Sequence, residues 1–126
     1  MKKVVFCSIH VNAAGNGQEW KNATGFSVYT SKGKTSSDDL ASIFYAEAEK
    51  NFVGKKLRKD FSDGDPDWEE GFAVLKGTKC TAVLTENFFM DNKEDVSYLL
   101  SSEGRGAIIK THVDALESYV NSLEQV

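Results

Sequence analysis

Histidine, cysteine and proline are nearly missing from this sequence, which holds two His, two Cys and one Pro in 126 residues. Two cysteines do not make a disulfide framework, and without a C-x-x-C pair there is neither a zinc knuckle nor a redox dithiol. Cys7 and Cys80 stand in or at the start of apolar strands, where each is expected to act as a small buried hydrophobe. No apolar run approaches the roughly 20 residues of a membrane span. Val4 to Ile9 is only six residues long, too short for the apolar core of a signal peptide. As written, the chain is expected to be cytoplasmic. Positive charge is not in excess either. Lys and Arg number 15 against 19 Asp and Glu, for a net charge of −4 and a pI near 5.2. That balance argues against a nucleic-acid partner.

What is present is an ordinary globular composition, 40% hydrophobic and 27% charged, in a length that fits one domain over residues 1–126. Val4 to His10 reads as a buried strand. Gly25 to Thr30 reads as a second, with Phe26, Val28 and Thr30 alternating against Ser27 and Tyr29. Ser36 or Ser37 is expected to cap a helix whose Leu40, Ile43, Phe44, Ala48 and Phe52 recur at helical spacing, with Gly54 at its end. Phe72 to Leu75 reads as a short strand, and Thr81 to Glu86 as a central one. Asn92 or Asp91 caps a short helix through Leu100. A last helix from Ser102 to Leu123 carries a stripe of Ile109, Val113, Leu116, Val120 and Leu123. Strands too apolar to face water, alternating with helices, point to an α/β fold: a mixed, largely parallel sheet with helices on both faces.

Two residues stand out for chemistry. His10 and Glu86 each end an apolar strand, where open α/β sheets place their sites. If the two strands run parallel in one sheet, His and Glu share a crevice as a metal or acid/base pair. Without that juxtaposition, His10 is a strand-end imidazole bonded to backbone and Glu86 a carboxylate capping the next turn. His112 lies at the edge of the last helix's stripe and reads as a surface or half-buried helix residue. The basic run Lys50, Lys55, Lys56, Arg58, Lys59 is followed by an acidic one through Glu70, and the whole reads as a charged loop over the site. Asp63-Gly-Asp-Pro-Asp is not an EF-hand loop, because Trp68 stands where the glycine belongs. Trp68, Phe61 and Phe72 are expected to pack, with a sugar or peptide groove as the alternative.

The two strands, taken together, resemble the zinc-dependent N-acetylmuramoyl-L-alanine amidases of cell-wall peptidoglycan. Ser8-Ile9-His10-Val11-Asn12-Ala13 resembles the family's Ser-Ile-His-x-Asn-Ala motif, whose His is a zinc ligand. Gly25-Phe-Ser-Val-Tyr resembles the next strand. Phe72-Ala-Val-Leu and Ala82-Val-Leu-Thr-Glu86-Asn-Phe-Phe-Met-Asp-Asn92 resemble the closing segment, whose Glu is the catalytic base. The Glu-Asn-x-Phe-Met-Asp-Asn form places the chain nearest the phage and gut-bacterial branches. The resemblance implies His10 as a metal ligand, Glu86 as catalytic base and Asn12 as a residue that braces the loop or touches substrate. It implies zinc as cofactor and peptidoglycan or muropeptide as partner, with hydrolysis of the muramic acid–alanine amide by zinc-activated water.

One departure accompanies it. The family's other metal ligands lie on an N-terminal segment, and only nine residues precede His10 here. The expectation is therefore an amidase-like domain shortened at its N-terminus, either part of an active enzyme or a non-catalytic relative that binds wall fragments or a partner. Action on the wall then requires export or lysis. A sheet that lacks a strand exposes an edge, which favours a homo-oligomer.

Overall fold

The computed structural model describes residues 4–31, 35–61, 67–69 and 72–124. Its elements in chain order are β1 (Val5–Asn12), β2 (Phe26–Thr30), α1 (Ser36–Asn51), β3 (Trp68–Glu69), α2 (Ala73–Lys76), β4 (Thr81–Phe89), α3 (Lys93–Leu100) and α4 (Ser102–Glu124). The sheet order is β1-β4-β2-β3. β1 pairs parallel with β4 and β2 parallel with β3, while β2 and β4 run antiparallel. The sheet is mixed and largely parallel, as expected, with β4 inside it and β1 at an edge.

Alternation along the strands divides the sheet into two faces. On one, Phe26, Val28 and Val83, with Val5 and Cys7 beside them, pack on Leu40, Ala41, Phe44, Tyr45 and Ala48 of α1 and on Ala115 and Tyr119 of α4. Fully burying each large side chain here stabilises the fold by roughly 1.5–3 kcal/mol. Cys7 behaves as the small hydrophobe expected, its thiol pushed up to about 11 by burial. The second face carries a smaller cluster, Leu75 of α2 on Ala82, Leu84, Phe6 and Tyr29. Helices thus flank both faces unequally, two long ones against a single turn.

Several elements differ from the sequence reading. Thr35, not Ser36 or Ser37, is the α1 N-cap: its hydroxyl accepts from the Ser37 amide, and Asp38 returns a bond to the Thr35 amide. Ser37 Oγ instead accepts from the Ala82 amide (2.9 Å), tying α1 to β4. The expected strand at Phe72–Leu75 is helix α2, closed by amide bonds from Leu75 and Lys76 to the Phe72 carbonyl. Four apolar residues carry too little periodicity to separate strand from helix. Within the charged connection, residues 55–61 run along the outer side of β2, Leu57 bridging to Phe26. They lie two strands from β1 rather than over it; Asp63, Asp65 and Pro66 are outside the described residues.

The stripe expected for α4 also shifts. Ile109 and Val113 are exposed, while Gly104, Thr111, His112, Ala115 and Tyr119 form the buried face. Small and polar residues occupy it because α4 lies close on α1 and on β4. Gly104 packs as closely on α3, since a Cβ there would stand 1.9 Å from the Tyr98 carbonyl oxygen. His112 is buried, 5.1 Å from the Phe44 ring by centroids. Its Nδ1 donates to the Ile108 carbonyl (2.8 Å), leaving Nε2 to accept from the Thr85 hydroxyl (2.8 Å). That pattern suits the neutral imidazole, and burial holds its pKa below the ordinary histidine value.

Asp95, buried in the first turn of α3, gathers the loops. Its carboxylate accepts from the Thr24 hydroxyl, the Gly25 amide (3.2 Å) and the Phe89 amide (2.9 Å). Asn92 caps the same helix by accepting from the Asp95 amide. Gly25 is required at this junction: its φ is +116°, and a Cβ would meet the Lys56 carbonyl oxygen at 2.6 Å.

Asp95→Ala removes three acceptor contacts at once and leaves buried donors unpaired. It is expected to cost at least about 2 kcal/mol, read as a lower urea midpoint with unchanged slope. For His112 the native pKa lies below the unfolded value of 6.5. Its stabilising share is therefore present above that value and is lost as pH falls below it. Urea unfolding from about pH 7 to about pH 5 should show wild type losing stability relative to His112→Gln; a constant gap would contradict this.

Candidate functional site

The parallel pairing of β1 with β4 sets Cys7 opposite Val83, Ser8 opposite Leu84 and His10 opposite Glu86. The antiparallel pairing on the other side sets Ser27 opposite Glu86. His10, Glu86 and Ser27 therefore form a row across three adjacent strands on the face of the smaller apolar cluster. Phe6, Ala82, Leu84, Tyr29 and Leu75 make its apolar floor toward the start of β4. His10 and Glu86 both lie inside their strands rather than at the ends, since β1 runs on to Asn12 and β4 to Phe89.

The row is polar and only partly satisfied. Ser8, two residues before His10 on the same face, sits with its Oγ 2.7 Å from His10 Nε2. The imidazole is exposed and Glu86 half-buried. Glu86 Oε1 and Ser27 Oγ are both buried with no hydrogen-bond partner among the described residues. Burial raises the Glu86 carboxyl above its ordinary value, and the neighbouring His10 partly opposes that. A half-buried carboxylate with raised pKa beside an exposed imidazole is the electrostatic setting of a proton acceptor.

The backbone around the row is held from the opposite side. Asn87 Nδ2 donates to the His10 carbonyl (3.0 Å) and to Thr85 Oγ1 (3.0 Å), joining β1 to the Thr85–His112 pair. Past the register shift that follows His10, Asn12 aligns with Phe89. Phe88 takes up the irregularity with φ of +67°, uncommon for a bulky residue, its ring fully buried against Phe52 and Tyr98. The Met90 amide then donates to the Asn12 carbonyl (2.8 Å). Asp91 receives the Ala14 and Gly15 amides at 3.0 and 2.8 Å, and the Ala14 bond leads the causes that hold its carboxyl below the usual range. A cleft of about 660 Å³ opens beyond these strand ends, lined by Ala13, residues 15–19, Trp20, Met90 and Asp91.

Among the residues singled out in the sequence, His10 and Glu86 are brought together. Asn12 braces the turn, its Oδ1 accepting from the Ala13 amide (2.9 Å). His112 lies under the opposite face, bonded to Thr85, whose neighbour Glu86 points away from it. Trp68 and Phe72 pack around Tyr29, and Trp68 Nε1 donates to the Arg58 carbonyl (3.0 Å); Phe61 is exposed. Ser8, Ser27, Asn87 and Asp91 were not read as site residues. Ser8 and Asn87 stand two residues before His10 and one after Glu86, but only strand register shows what they touch.

The described residues do not complete a metal centre. No group of three or more His, Cys, Asp or Glu side chains converges among them, and a catalytic zinc takes three protein ligands. Among the described residues, His10, with Glu86 beside it, is the candidate ligand in the row.

Residues 1–118 match the family model described as N-acetylmuramoyl-L-alanine amidase. The endolysin of Bacillus phage SPP1 is 24% identical over 123 residues, which are 95% of this chain and 41% of that endolysin. Among solved structures, the N-acetylmuramoyl-L-alanine amidase of Clostridium difficile 630 superposes with a TM-score of 0.77 at 23% identity, covering 94% of this chain and 58% of its own. The catalytic domain of an endolysin targeting Clostridia difficile gives 0.60 at 26% identity, covering 90% and 54%. The chain thus spans about half the length of the proteins it matches.

Proposed function

The chain belongs to the N-acetylmuramoyl-L-alanine amidase family, and from that premise we propose that it carries the catalytic base and one metal ligand of a peptidoglycan hydrolase. The bond cleaved is the amide between N-acetylmuramic acid and L-alanine. The observation that carries this reading is the register of His10 against Glu86 on one open face. Glu86 is the base: its raised carboxyl accepts a proton from the water that attacks the amide carbonyl. As the carbon–nitrogen bond breaks, the same carboxyl returns that proton to the departing alanine nitrogen. The products are a muramyl lactyl carboxylate and a peptide with a free alanine amine. Asn12 and Asp91 keep the loop after His10 in place.

Zinc is the cofactor that family membership implies. Among the described residues His10, with Glu86 beside it, is the part of the chain that would hold it, and no third His, Cys, Asp or Glu joins them. That same observation favours a second reading, in which the chain alone binds wall fragments without cutting them.

Purified peptidoglycan incubated with the chain and excess zinc, then assayed for newly exposed alanine amines, separates the two. Under the hydrolytic reading amines appear, and Glu86→Gln lowers their rate by about 10²-fold or more. Full activity in Glu86→Gln would remove Glu86 from the mechanism. Muropeptide binding with no amine released would select the second reading.

A further inference from the structure

Two carboxylates outside the His10–Glu86 row are shut away from solvent together. Asp67, just before β3, is 1% exposed, and Asp38, in the first turn of α1, is 4% exposed. Thr30 of β2, fully buried, stands between them, its Oγ1 2.6 Å from Asp67 Oδ2 and 3.2 Å from Asp38 Oδ1. One hydroxyl hydrogen serves only one of those oxygens well. Asp38 Oδ2 is taken by the Thr35 amide (2.9 Å). Asp67 Oδ1 is buried with no hydrogen-bond partner among the described residues.

Among the described residues, the neighbouring elements supply no cation to the pair. α1 contributes Asp38 itself and the Tyr45 phenol, which donates to the Arg58 carbonyl. From residues 55–61, Arg58 stacks over the Phe89 ring and Lys59 over the Tyr45 ring. Two buried carboxylates short of hydrogens need one positive charge between them.

We propose that Asp38 and Asp67 share a proton, and that this proton is the latch holding β3 on the edge of β2. Among the described residues, little else secures β3. It is two residues long, pairing Trp68 with Tyr29 and Glu69 with Thr30, and it is backed by the Trp68 indole bond to Arg58. Burial, with the nearby Asp38 adding to it, lifts the Asp67 carboxyl to about 7. The native value thus lies above the unfolded 3.8. The hold is complete below 3.8, weakens as pH rises, and is lost through neutrality. Tyr29 contacts Trp68 and Phe72 and also lies in the floor beneath Glu86, so release of β3 reaches the site from below.

Trp68 is a built-in reporter. With Trp20→Phe it becomes the sole tryptophan of the chain, and its emission can be followed from about pH 5 to about pH 9 while circular dichroism confirms folding. The expected result is a red shift with a midpoint near 7, absent when Asp67→Asn is added. Asp38→Asn, which removes the like charge, is expected to lower the midpoint. A flat trace in the folded Trp20→Phe chain, or an undiminished titration after Asp67→Asn, would overturn the proposal. Should Asp67→Asn fail to fold, an unmoved midpoint in Asp38→Asn overturns it equally.

Discussion

The pairing of β1 with β4 is the constraint on which the functional reading rests. Side chains alternate along a strand, so a slip of one residue would send His10 to the face opposite Glu86. The register is held from several directions. Asn87 grips the His10 carbonyl from within the sheet. Beyond the bulge, the Met90 amide grips Asn12 and Asp91 grips the Ala14 and Gly15 amides. Phe88 accepts a left-handed backbone in the process, and its ring, buried among Phe52 and Tyr98, offsets that strain. Register is thereby fixed by bonds at the C-terminal ends of both strands, next to the residues whose chemistry depends on it.

The two faces of β4 treat polar groups differently. Toward α1 and α4, Thr85, Asn87 and His112 bond one another and the backbone, as buried polar groups in a core are expected to do. Toward the other face, Glu86 and Ser27 keep buried oxygens without partners among the described residues. Leaving such atoms unpaired costs stability, and sites tolerate this where substrate or water completes the bonds. Consecutive residues of one strand thus belong to two regimes, Thr85 bonded into the core and Glu86 with a buried oxygen unpaired among the described residues.

Much of this was legible in the sequence because it depends on period. The apolar runs around Val83 and Phe26 read as strands, and the Leu40, Phe44 and Ala48 spacing reads as the α1 face, since burial imposes these periods directly. The pairing of His10 with Glu86 was conditional on parallel strands, which no local pattern decides. Other features were hidden for identifiable reasons. Phe72–Leu75 is apolar over too few residues to show a period. The α4 face could not be read from hydrophobicity because close packing selects Gly104, Thr111, His112 and Ala115 there over Ile109 and Val113. The Asp38–Asp67 contact joins residues 29 positions apart in sequence, and an acidic cluster reads as solvated until burial is seen. The resemblance carried by the His10 and Glu86 motifs reached the family before any geometry, but it could not make a lone histidine into a metal centre.

Among the described residues, the row holds the proposed base and one proposed ligand of an amidase site, and no third group joins them. The first experiment is zinc content after saturation and desalting. Far less than one zinc per chain is expected, because a single histidine beside one carboxylate is too few ligands to retain the metal. Retention of about one zinc per chain, lost in His10→Ala, would contradict it and place a complete metal centre within these 126 residues.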